Sequence, residues 1–285
     1  MVNDKLIEKF IKDALLEDLD SAGDVTSHSV FFDSDMTTAI IRSKEKGTIS
    51  GLYLVEKVFR TLDSDVKIEM LKNDGDRVDP MTEICRISGK IIAILSGERL
   101  ILNLLQRLGG VATTTANLVS LISHTNCKLL DTRKTIPNLR YFEKKAVLDG
   151  GGTNHRFGLF DMILIKDTHV KAAGGPSEAV ARAKRYCVEN SSNLKIEVEI
   201  QTISEFSDVI TQNPDRIMLD NMTNEHMSEC VKIRDNYNKK IELEASGNVT
   251  EKTIAKIAET GVDFISVGAI THSVKALDIH LVIAD

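Results

Sequence analysis

Several features that would define a protein class at once are missing from this sequence. The four cysteines, Cys85, Cys127, Cys187 and Cys230, are too far apart to form a Cys-x-x-Cys metal or redox motif. We expect reduced, mostly buried thiols. The formal net charge of -6 also leaves no overall basic surface. Neither nucleic acid nor a membrane surface is therefore an expected partner.

Long apolar segments are missing as well. The N-terminus has no apolar signal core, and stretches such as residues 90–95 are far too short to span a bilayer. These two absences predict a cytoplasmic protein. No Gly-x-Gly-x-x-Gly follows a strand pattern, and Gly150-Gly-Gly follows a helix, so the sequence disfavours a Rossmann dinucleotide site.

The first part of the 285-residue chain has the pattern of a small α+β domain. Apolar residues recur at helical spacing over residues 6–19, behind Asp4 as a candidate N-cap. Strand and helix patterns then alternate, with strands over 38–43, 47–51, 66–70 and 83–88 and a helix over 52–62. A longer helix is predicted from about residue 97 to residue 123. Gly109-Gly110 in its middle would bend it or allow close packing.

The rest of the chain alternates strand and helix patterns. The last four strand patterns recur roughly every 23 residues, which is the period of βα units and predicts a parallel sheet closed or nearly closed into a barrel. A doubly wound open sheet is the alternative. We place an α+β domain at residues 1–108, with residues 274–285 packing against it, and the βα-barrel at residues 109–273.

Charged or small residues stand at the carboxyl end of each predicted barrel strand. In a βα-barrel these ends converge on one mouth, where active sites lie. The six ends therefore predict a single polar cavity that contains Asp131-Thr132-Arg133-Lys134, Lys166, Glu199, Asp220, Ser246-Gly247 and Ser266-Val-Gly268.

The types of these residues suggest what the cavity binds. A cationic wall in an acidic protein suits a ligand with several negative charges; it comprises Arg133, Lys134, Arg156 and Lys166 with His155 and His169. Glu199 and Asp220 oppose it and could hold Mg²⁺, bind sugar hydroxyls or stabilise a developing cation. The small-residue turns at Ser246 and Ser266 aim backbone N–H groups at a phosphate.

Other polar residues receive less specific interpretations. Glu197, Glu242 and Glu244 alternate with apolar residues, so each fits either an interior polar layer or an exposed strand face. We expect solvated side chains on a helix at Arg140, Lys144 and Lys145, a loop position for His28, and surface or structural roles for His124, His226, His272 and His280.

The pattern indicates a transfer reaction. A polyanionic substrate, a phosphate site and two carboxylates fit transfer of a phosphorylated sugar through an oxocarbenium-like transition state. No Ser-His-Asp or Cys-His arrangement is evident, so the acceptor itself would be the nucleophile.

A long motif block now identifies a family resemblance. Asp131-Thr-Arg-Lys-Thr-Ile-Pro-Asn-Leu-Arg, Glu143-Lys-Lys-Ala-Val, Gly150-Gly-Gly-Thr-Asn-His-Arg-Phe-Gly-Leu-Phe-Asp and Ile165-Lys-Asp-Thr-His resemble quinolinate phosphoribosyltransferase. Flanking segments also match, including Gly97-Glu-Arg-Leu-Ile-Leu-Asn, Met218-Leu-Asp-Asn and Glu242-Leu-Glu-Ala-Ser-Gly-Asn. The resemblance covers essentially the whole chain and is weakest over the first 90 residues.

This resemblance implies a fold and a reaction. The fold is an incomplete parallel βα-barrel with a smaller N-terminal α+β sandwich domain. The reaction joins quinolinate and 5-phosphoribosyl-1-pyrophosphate (PRPP), uses Mg²⁺, and gives nicotinate mononucleotide, pyrophosphate and CO₂ in NAD biosynthesis.

The resemblance also implies site residues. Lys134, Lys166, Glu199 and Asp220 would be catalytic, and Glu199 and Asp220 would meet the ribose and the metal. Substrate would also contact Thr132, Arg133, His155, Arg156, His169, Ser246, Gly247, Ser266 and Gly268. Arg99 would reach the site of a neighbouring subunit, which implies a homodimer with shared active sites.

Three alternatives stay open. A related barrel transferase would use nicotinate, a monoanion, and a molybdenum-operon homologue of the family would use another substrate. A non-catalytic anion-binding protein would need the cations but not Glu199 with Asp220.

Overall fold

The computed structural model of the protein describes residues 4–284, which divide into two units. One unit comprises the chain up to Thr114 together with the segment from Val274, and the other comprises Thr115–Ser273. The first unit contains helices α1 (Asp4–Leu19), α2 (Val25–Val30) and α3 (Tyr53–Leu62), the start of α4 (Ile91–Ile122), and strands β1 (Met36–Ser43), β2 (Gly47–Thr48), β3 (Lys67–Met70), β4 (Arg77–Val78) and β5 (Glu83–Lys90).

The second unit continues the chain with alternating strands and helices. Its strands are β6 (Lys128–Leu130), β7 (Ile163–Ile165), β8 (Ile196–Ile200), β9 (Arg216–Asp220), β10 (Glu242–Ser246) and β11 (Phe264–Ser266). Its helices are α5 (Arg140–Asp149), α6 (Asp167–Ala173), α7 (Pro176–Glu189), α8 (Ile203–Val209), α9 (Asn224–Tyr237), α10 (Ile254–Ala258) and α11 (Ala269–His272). The last strand, β12 (Ile279–Ile283), belongs to the first unit.

The first unit is built on a four-stranded antiparallel sheet with the order β12-β1-β5-β3. Its core includes Ile7, Ile11 and Leu15, the buried stripe of α1. The terminal strand β12 had no signature in the sequence analysis, and it pairs along β1 from Ala39↔Ile283 to Ser43↔Ile279. Pairing with the end of the chain therefore gives β1 a neighbour on each side.

The second unit is a parallel sheet of six strands with the order β6-β11-β10-β9-β8-β7. Beyond β6, a single parallel bridge joins Leu130 to Thr153. Apolar β-branched and long aliphatic residues fill these strands because helices cover the sheet, as parallel sheets require. The predicted fold class, an incomplete parallel βα-barrel with a smaller α+β domain, is confirmed.

The long helix α4 differs from its prediction at its start. It begins at Ile91, directly after β5, and not near residue 97. The Gly109-Gly110 pair does not interrupt it, and close packing is the reason for the glycines. A Cβ on Gly110 would lie 2.3 Å from the backbone oxygen of Lys275, and one on Gly109 would lie 2.9 Å from Leu277. Despite its 32 residues, α4 is not apolar enough to cross a bilayer, and the same holds for every other helix in residues 4–284.

Candidate active site

A polar cavity of about 450 Å³ lies in the second unit at the carboxyl ends of its parallel strands. Its lining consists of Thr132, Arg133, Lys134, His155, Arg156, Leu164, Lys166, Glu199, Met218, Asp220, Glu244, Ser246 and Ser266. An adjoining cavity of about 400 Å³ shares five of these residues and adds the turns at Ser246–Asn248 and Ser266–Ala269. The predicted convergence of strand ends on one cavity is what the structure shows.

Strand register places the cavity's side chains at successive depths. Asp220 pairs with Ser246 at the top of the sheet. Two residues earlier along the strands, and therefore one step deeper, Met218 pairs with both Glu199 and Glu244. Below these, Arg216 pairs with Glu197 and Glu242. Since side chains two residues apart share a face, the glutamates that alternate along β8 and β10 form layers inside the barrel.

Arg133 and Arg156 are the two half-buried arginines of the cationic wall. Arg156 Nη1 donates to the Met162 carbonyl at 3.1 Å, while the buried Nε of Arg133 has no partner among the described residues. Burial and the charge of Arg133 lower the pKa of the Arg156 guanidinium. Two crowded guanidinium groups with an unused buried donor are suited to a ligand with negative charge.

The loop after β6 is held in place by short hydrogen bonds. The Lys134 N–H donates to Thr132 Oγ1 at 3.1 Å, and Thr271 Oγ1 donates to the Lys134 carbonyl at 2.8 Å. The backbone of Lys134 is thereby fixed from two sides, which leaves its side chain free to line both cavities.

Glu199 and Asp220 form the anionic side. Burial, then the charges of Asp220 and Asp167, raise the pKa of Glu199. Asp220 Oδ2 accepts hydrogen bonds from Asn221 Nδ2 at 2.8 Å and Gln201 Nε2 at 3.2 Å. Two carboxylates that repel each other in a shared cavity offer hard oxygen ligands, and this chemistry fits a divalent cation such as Mg²⁺.

The turns after β10 and β11 bring backbone close to the adjoining cavity. Gly247 has φ +95°, and a Cβ there would lie 2.1 Å from Asn221 Oδ1. A Cβ on Gly268 would lie 2.9 Å from Cδ of Lys134. Only glycine leaves this space open, so an anion can approach the backbone and the lysine together.

A buried charge network lies beneath the cationic wall. His155 Nε2 lies 3.0 Å from Glu197 Oε2 and 3.4 Å from Glu244 Oε2, although neither contact has the alignment of a hydrogen bond. Arg216 Nη1 donates to Glu244 Oε2 at 3.0 Å, and Nη2 donates to Glu242 at 2.9 Å. Glu197 and Glu244 are fully buried, so both belong to the interior polar layer. Glu242 is partly exposed and pairs with Arg216 at the edge of this layer.

The protonation of His155 follows from its surroundings. Burial alone would lower its pKa, but its interactions with Glu197 and Glu244 outweigh burial and raise the pKa to about 9. The two glutamates thus favour the charged ring, whereas the hydrogen bond that His155 Nδ1 accepts from the Arg156 N–H at 2.7 Å requires the neutral ring with its proton on Nε2. A second proton on Nδ1 would require that hydrogen bond to break.

His155, Glu197 and Glu244 are also close enough to hold a metal ion, with ligand atoms within 4.8 Å of one another. Arg216 already supplies positive charge to this group at 3.0 Å from Glu244. A second cation at that position would be repelled by the guanidinium. We therefore interpret the group as an ion-pair network.

Most of the predicted site residues come together here. Gly247 and Gly268 line the adjoining cavity. Two residues do not line either cavity. His169 is exposed, and its Nδ1 accepts the Lys166 N–H at 3.0 Å at the start of α6. Arg99 is exposed on α4, in the part of that helix that belongs to the first unit.

The structure corrects two predictions. Lys144 is buried and not solvated, because it pairs with Asp131. His28 lies in helix α2 and not in a loop. His272 is exposed, as predicted, and it also lines the adjoining cavity beside Gly268. Leu164 and Met218 also line the main cavity and carry no sequence signal beyond their position near strand ends.

Comparisons with known proteins identify the family of the chain. The family model for the C-terminal domain of quinolinate phosphoribosyl transferase matches residues 111–282, and the model for its N-terminal domain matches residues 24–109. A quinolinate phosphoribosyltransferase (decarboxylating) of Nicotiana tabacum is 42% identical over 94% of this chain and 79% of that protein. A probable nicotinate-nucleotide pyrophosphorylase (carboxylating) of Bacillus subtilis is 39% identical over 98% of this chain and 94% of that protein.

A solved structure extends the likeness to three dimensions. The nicotinate-nucleotide pyrophosphorylase from Francisella tularensis superimposes with a TM-score of 0.93 at 40% identity, over 100% of this chain and 98% of that one. The resemblance inferred from the motif block is thereby confirmed. The chain belongs to the quinolinate phosphoribosyltransferase family.

Proposed function

We propose that this protein transfers the phosphoribosyl group of PRPP to quinolinate and releases pyrophosphate and CO₂, giving nicotinate mononucleotide for NAD biosynthesis. The observation that carries the proposal is the cavity itself, in which a cationic wall faces Glu199 and Asp220 beside a glycine-lined cradle. A dianionic acceptor and a donor with several phosphate charges both match that arrangement.

The cavity's residues divide between the two substrates. Arg133 and Arg156 bind the two carboxylates of quinolinate, with the planar guanidinium groups matching carboxylate geometry, and His155 lines the same part of the cavity. Lys134 and the turns at Gly247 and Gly268 hold phosphate oxygens of PRPP. This division orients the pyridine nitrogen toward the anomeric carbon, so that proximity replaces a protein nucleophile.

The transition state and the loss of CO₂ follow from charge. As pyrophosphate leaves, positive charge develops on the ribose, and the carboxylates of Glu199 and Asp220 stabilise it. The pyridine nitrogen becomes cationic once it has bonded to the sugar. When the neighbouring C–CO₂ bond breaks, its electron pair remains on the ring carbon and is stabilised by this cation, and a proton then replaces the carboxylate.

Mg²⁺ belongs to this proposal as the cation of the donor. It supplies neutralisation of the pyrophosphate charge when it is bound. Glu199 and Asp220 are the residues whose oxygen atoms suit it, either directly or through water. Lys134 and Lys166 carry positive charge in the same cavity, and their attraction for the phosphates does not depend on Mg²⁺.

We further propose a homodimer in which Arg99 completes the site of the partner subunit. An exposed apolar segment follows Arg156 directly, with Phe157 39%, Leu159 71% and Phe160 73% exposed. Contiguous exposed apolar side chains support an interface with another protein surface. A cytoplasmic location and the absence of nucleic-acid partners stay predictions of the sequence.

One direct assay tests the reaction and separates it from its alternatives. Purified protein is given PRPP and Mg²⁺ with either quinolinate or nicotinate, and pyrophosphate and CO₂ are measured. We expect release of both products with quinolinate and no turnover with nicotinate. Turnover of nicotinate would indicate the related monoacid transferase, and no turnover of either acid would leave an anion-binding protein or a homologue with another substrate.

A further inference from the structure

We propose that the buried Asp131–Lys144 ion pair is a positioning device that sets the place of His155 and Arg156 for the acceptor's carboxylates. The inference rests on the proposed function, since it names residues that act on quinolinate binding without touching quinolinate. Lys144 and Asp131 do not line either cavity, so they are positioning residues and not catalytic ones.

The pair holds the backbone of His155 through both its N–H group and its carbonyl group. Lys144 Nζ lies 2.5 Å from Asp131 Oδ1 and donates to the His155 carbonyl at 3.0 Å. The His155 N–H donates to the same Asp131 oxygen at 2.8 Å. One ion pair therefore fixes both the donor and the acceptor of a single residue's backbone.

Asn154 extends this clamp by one residue. With its amide oriented so that nitrogen faces the acceptors, it donates to Asp131 Oδ2 at 2.7 Å and to the Lys144 carbonyl at 2.9 Å. Both carboxylate oxygens of Asp131 are then engaged with the segment that carries His155. A displacement of this segment cannot occur without breaking several hydrogen bonds at once.

The consequences reach the two cationic side chains. The ring of His155 is held between the Arg156 N–H on Nδ1 and the buried glutamates near Nε2. Arg156 follows immediately, and its guanidinium reaches the Met162 carbonyl. The backbone position that Asp131 and Lys144 impose therefore sets the place of both cationic side chains.

Helix α5 braces the other cationic loop in the same way. Glu143, which is fully buried beside Lys144, accepts the Ile136 N–H at 3.2 Å in the loop that begins with Thr132. Arg140 donates to Thr135 Oγ1 at 3.0 Å and to the Phe157 carbonyl at 3.2 Å. One helix therefore ties the loop of Arg133 and Lys134 to the loop of His155 and Arg156.

Fold stability alone does not account for this pair. Lys144 is 3% exposed and Asp131 0% exposed, and burial both raises the pKa of Asp131 and lowers the pKa of Lys144. Desolvation thus opposes both charges, and apolar residues of similar volume often stabilise a core as well as a buried ion pair does. What an apolar pair cannot supply is the hydrogen bonds to the His155 backbone.

The test compares steady-state kinetics of matched variants. The double variant Asp131→Asn with Lys144→Met removes both charges together, so no buried charge is left without a partner. We expect it to fold with a thermal midpoint near that of the unchanged protein. Its KM for quinolinate should rise about tenfold or more, while its KM for PRPP changes less than about threefold, because only the carboxylate-binding segment loses its anchor.

Lys145→Met is the control, since Lys145 is the next residue on α5 and donates to Asp149 on the same helix at 2.9 and 3.0 Å. We expect its two KM values to be unchanged. Lys144→Arg is the conservative variant, which keeps the charge but moves the donors. It should show a smaller rise in the quinolinate KM than the double variant.

The outcomes separate this inference from the proposed function. If the unchanged protein does not turn over quinolinate, the proposed function fails. If it does, and a folded double variant keeps an unchanged quinolinate KM or raises both KM values equally, the positioning role is overturned. Should the double variant not fold, Lys144→Arg decides, and an unchanged quinolinate KM in that variant refutes the role.

Discussion

Replacing Arg216 by methionine tests whether the buried charge network is an interdependent unit. The guanidinium contacts Glu244 at 3.0 Å and Glu242 at 2.9 Å, and it lies 4.1 Å from the centre of the Phe264 ring. Methionine retains much of the apolar stem but removes the charge. Glu244 and Glu197, both fully buried, would then face each other without the guanidinium of Arg216, although the His155 ring would still lie beside both.

The expected loss of stability is large. Removing one partner of a buried ion pair costs about 3–5 kcal/mol, whereas an exposed pair is worth about 1 kcal/mol or less. At about 2–4 °C per kcal/mol, the thermal midpoint should fall by roughly 6–20 °C. Arg182→Met is the matched control, because Arg182 pairs with Glu178 on the surface of α7, with side chains 57% and 49% exposed. It should lower the midpoint by only a few degrees.

The loss should also depend on pH. Burial and the charge of Glu244 raise the pKa of Glu197 to about 7, and Arg216 opposes that rise. Without Arg216 the pKa in the folded state rises further above its value in the unfolded chain. When a carboxyl group has a higher pKa in the folded protein than in the unfolded chain, the folded state loses stability as the pH rises from the lower pKa to the higher one. The variant should therefore be closer to the unchanged protein at pH 5.5 than at pH 8.

Thermal unfolding followed by circular dichroism at both pH values measures these effects. The double variant Arg216→Met with Glu244→Gln removes the charge left without its partner, and it should recover more than half of the loss. The reasoning is refuted if Arg216→Met lowers the midpoint no more than Arg182→Met does. It is also refuted if the loss is greater at pH 5.5 than at pH 8.

Three further results are expected from activity measurements. Arg133→Ala or Lys134→Ala should abolish turnover and leave the circular dichroism spectrum intact, so near-normal activity in either variant would contradict the assigned site. Arg99→Ala dimers mixed with Arg156→Ala dimers should regain activity, because one of the two hybrid sites holds neither change; no recovery after proven subunit exchange would count against a shared site. Chelation of divalent cations should stop turnover and added Mg²⁺ should restore it, and full activity in excess chelator would exclude the proposed cation.

Much of the site could be predicted because its residues follow strands. Alternation and apolar runs reveal where each strand ends, and parallel βα topology sends those ends to one mouth. This reasoning predicts Arg133, Lys166, Glu199 and Asp220, and all four line the main cavity. In the first unit the sequence does not predict β12 or the start of α4, because β12 depends on pairing with β1 and α4 begins where β5, which also pairs with β1, ends.

The amino-acid sequence by itself determined the order of the six barrel strands, the sign of charge at their ends and the family motif, because these depend on residues close together in the chain. Only the tertiary structure decided which charges are buried. Lys144 has the pattern of a solvated helical lysine, yet its partner Asp131 stands 13 residues earlier, at the end of a strand. The same holds for Arg216 with Glu244, 28 residues apart on neighbouring strands. Burial of a charge depends on the partner that folding brings to it, and local sequence carries no record of that distance.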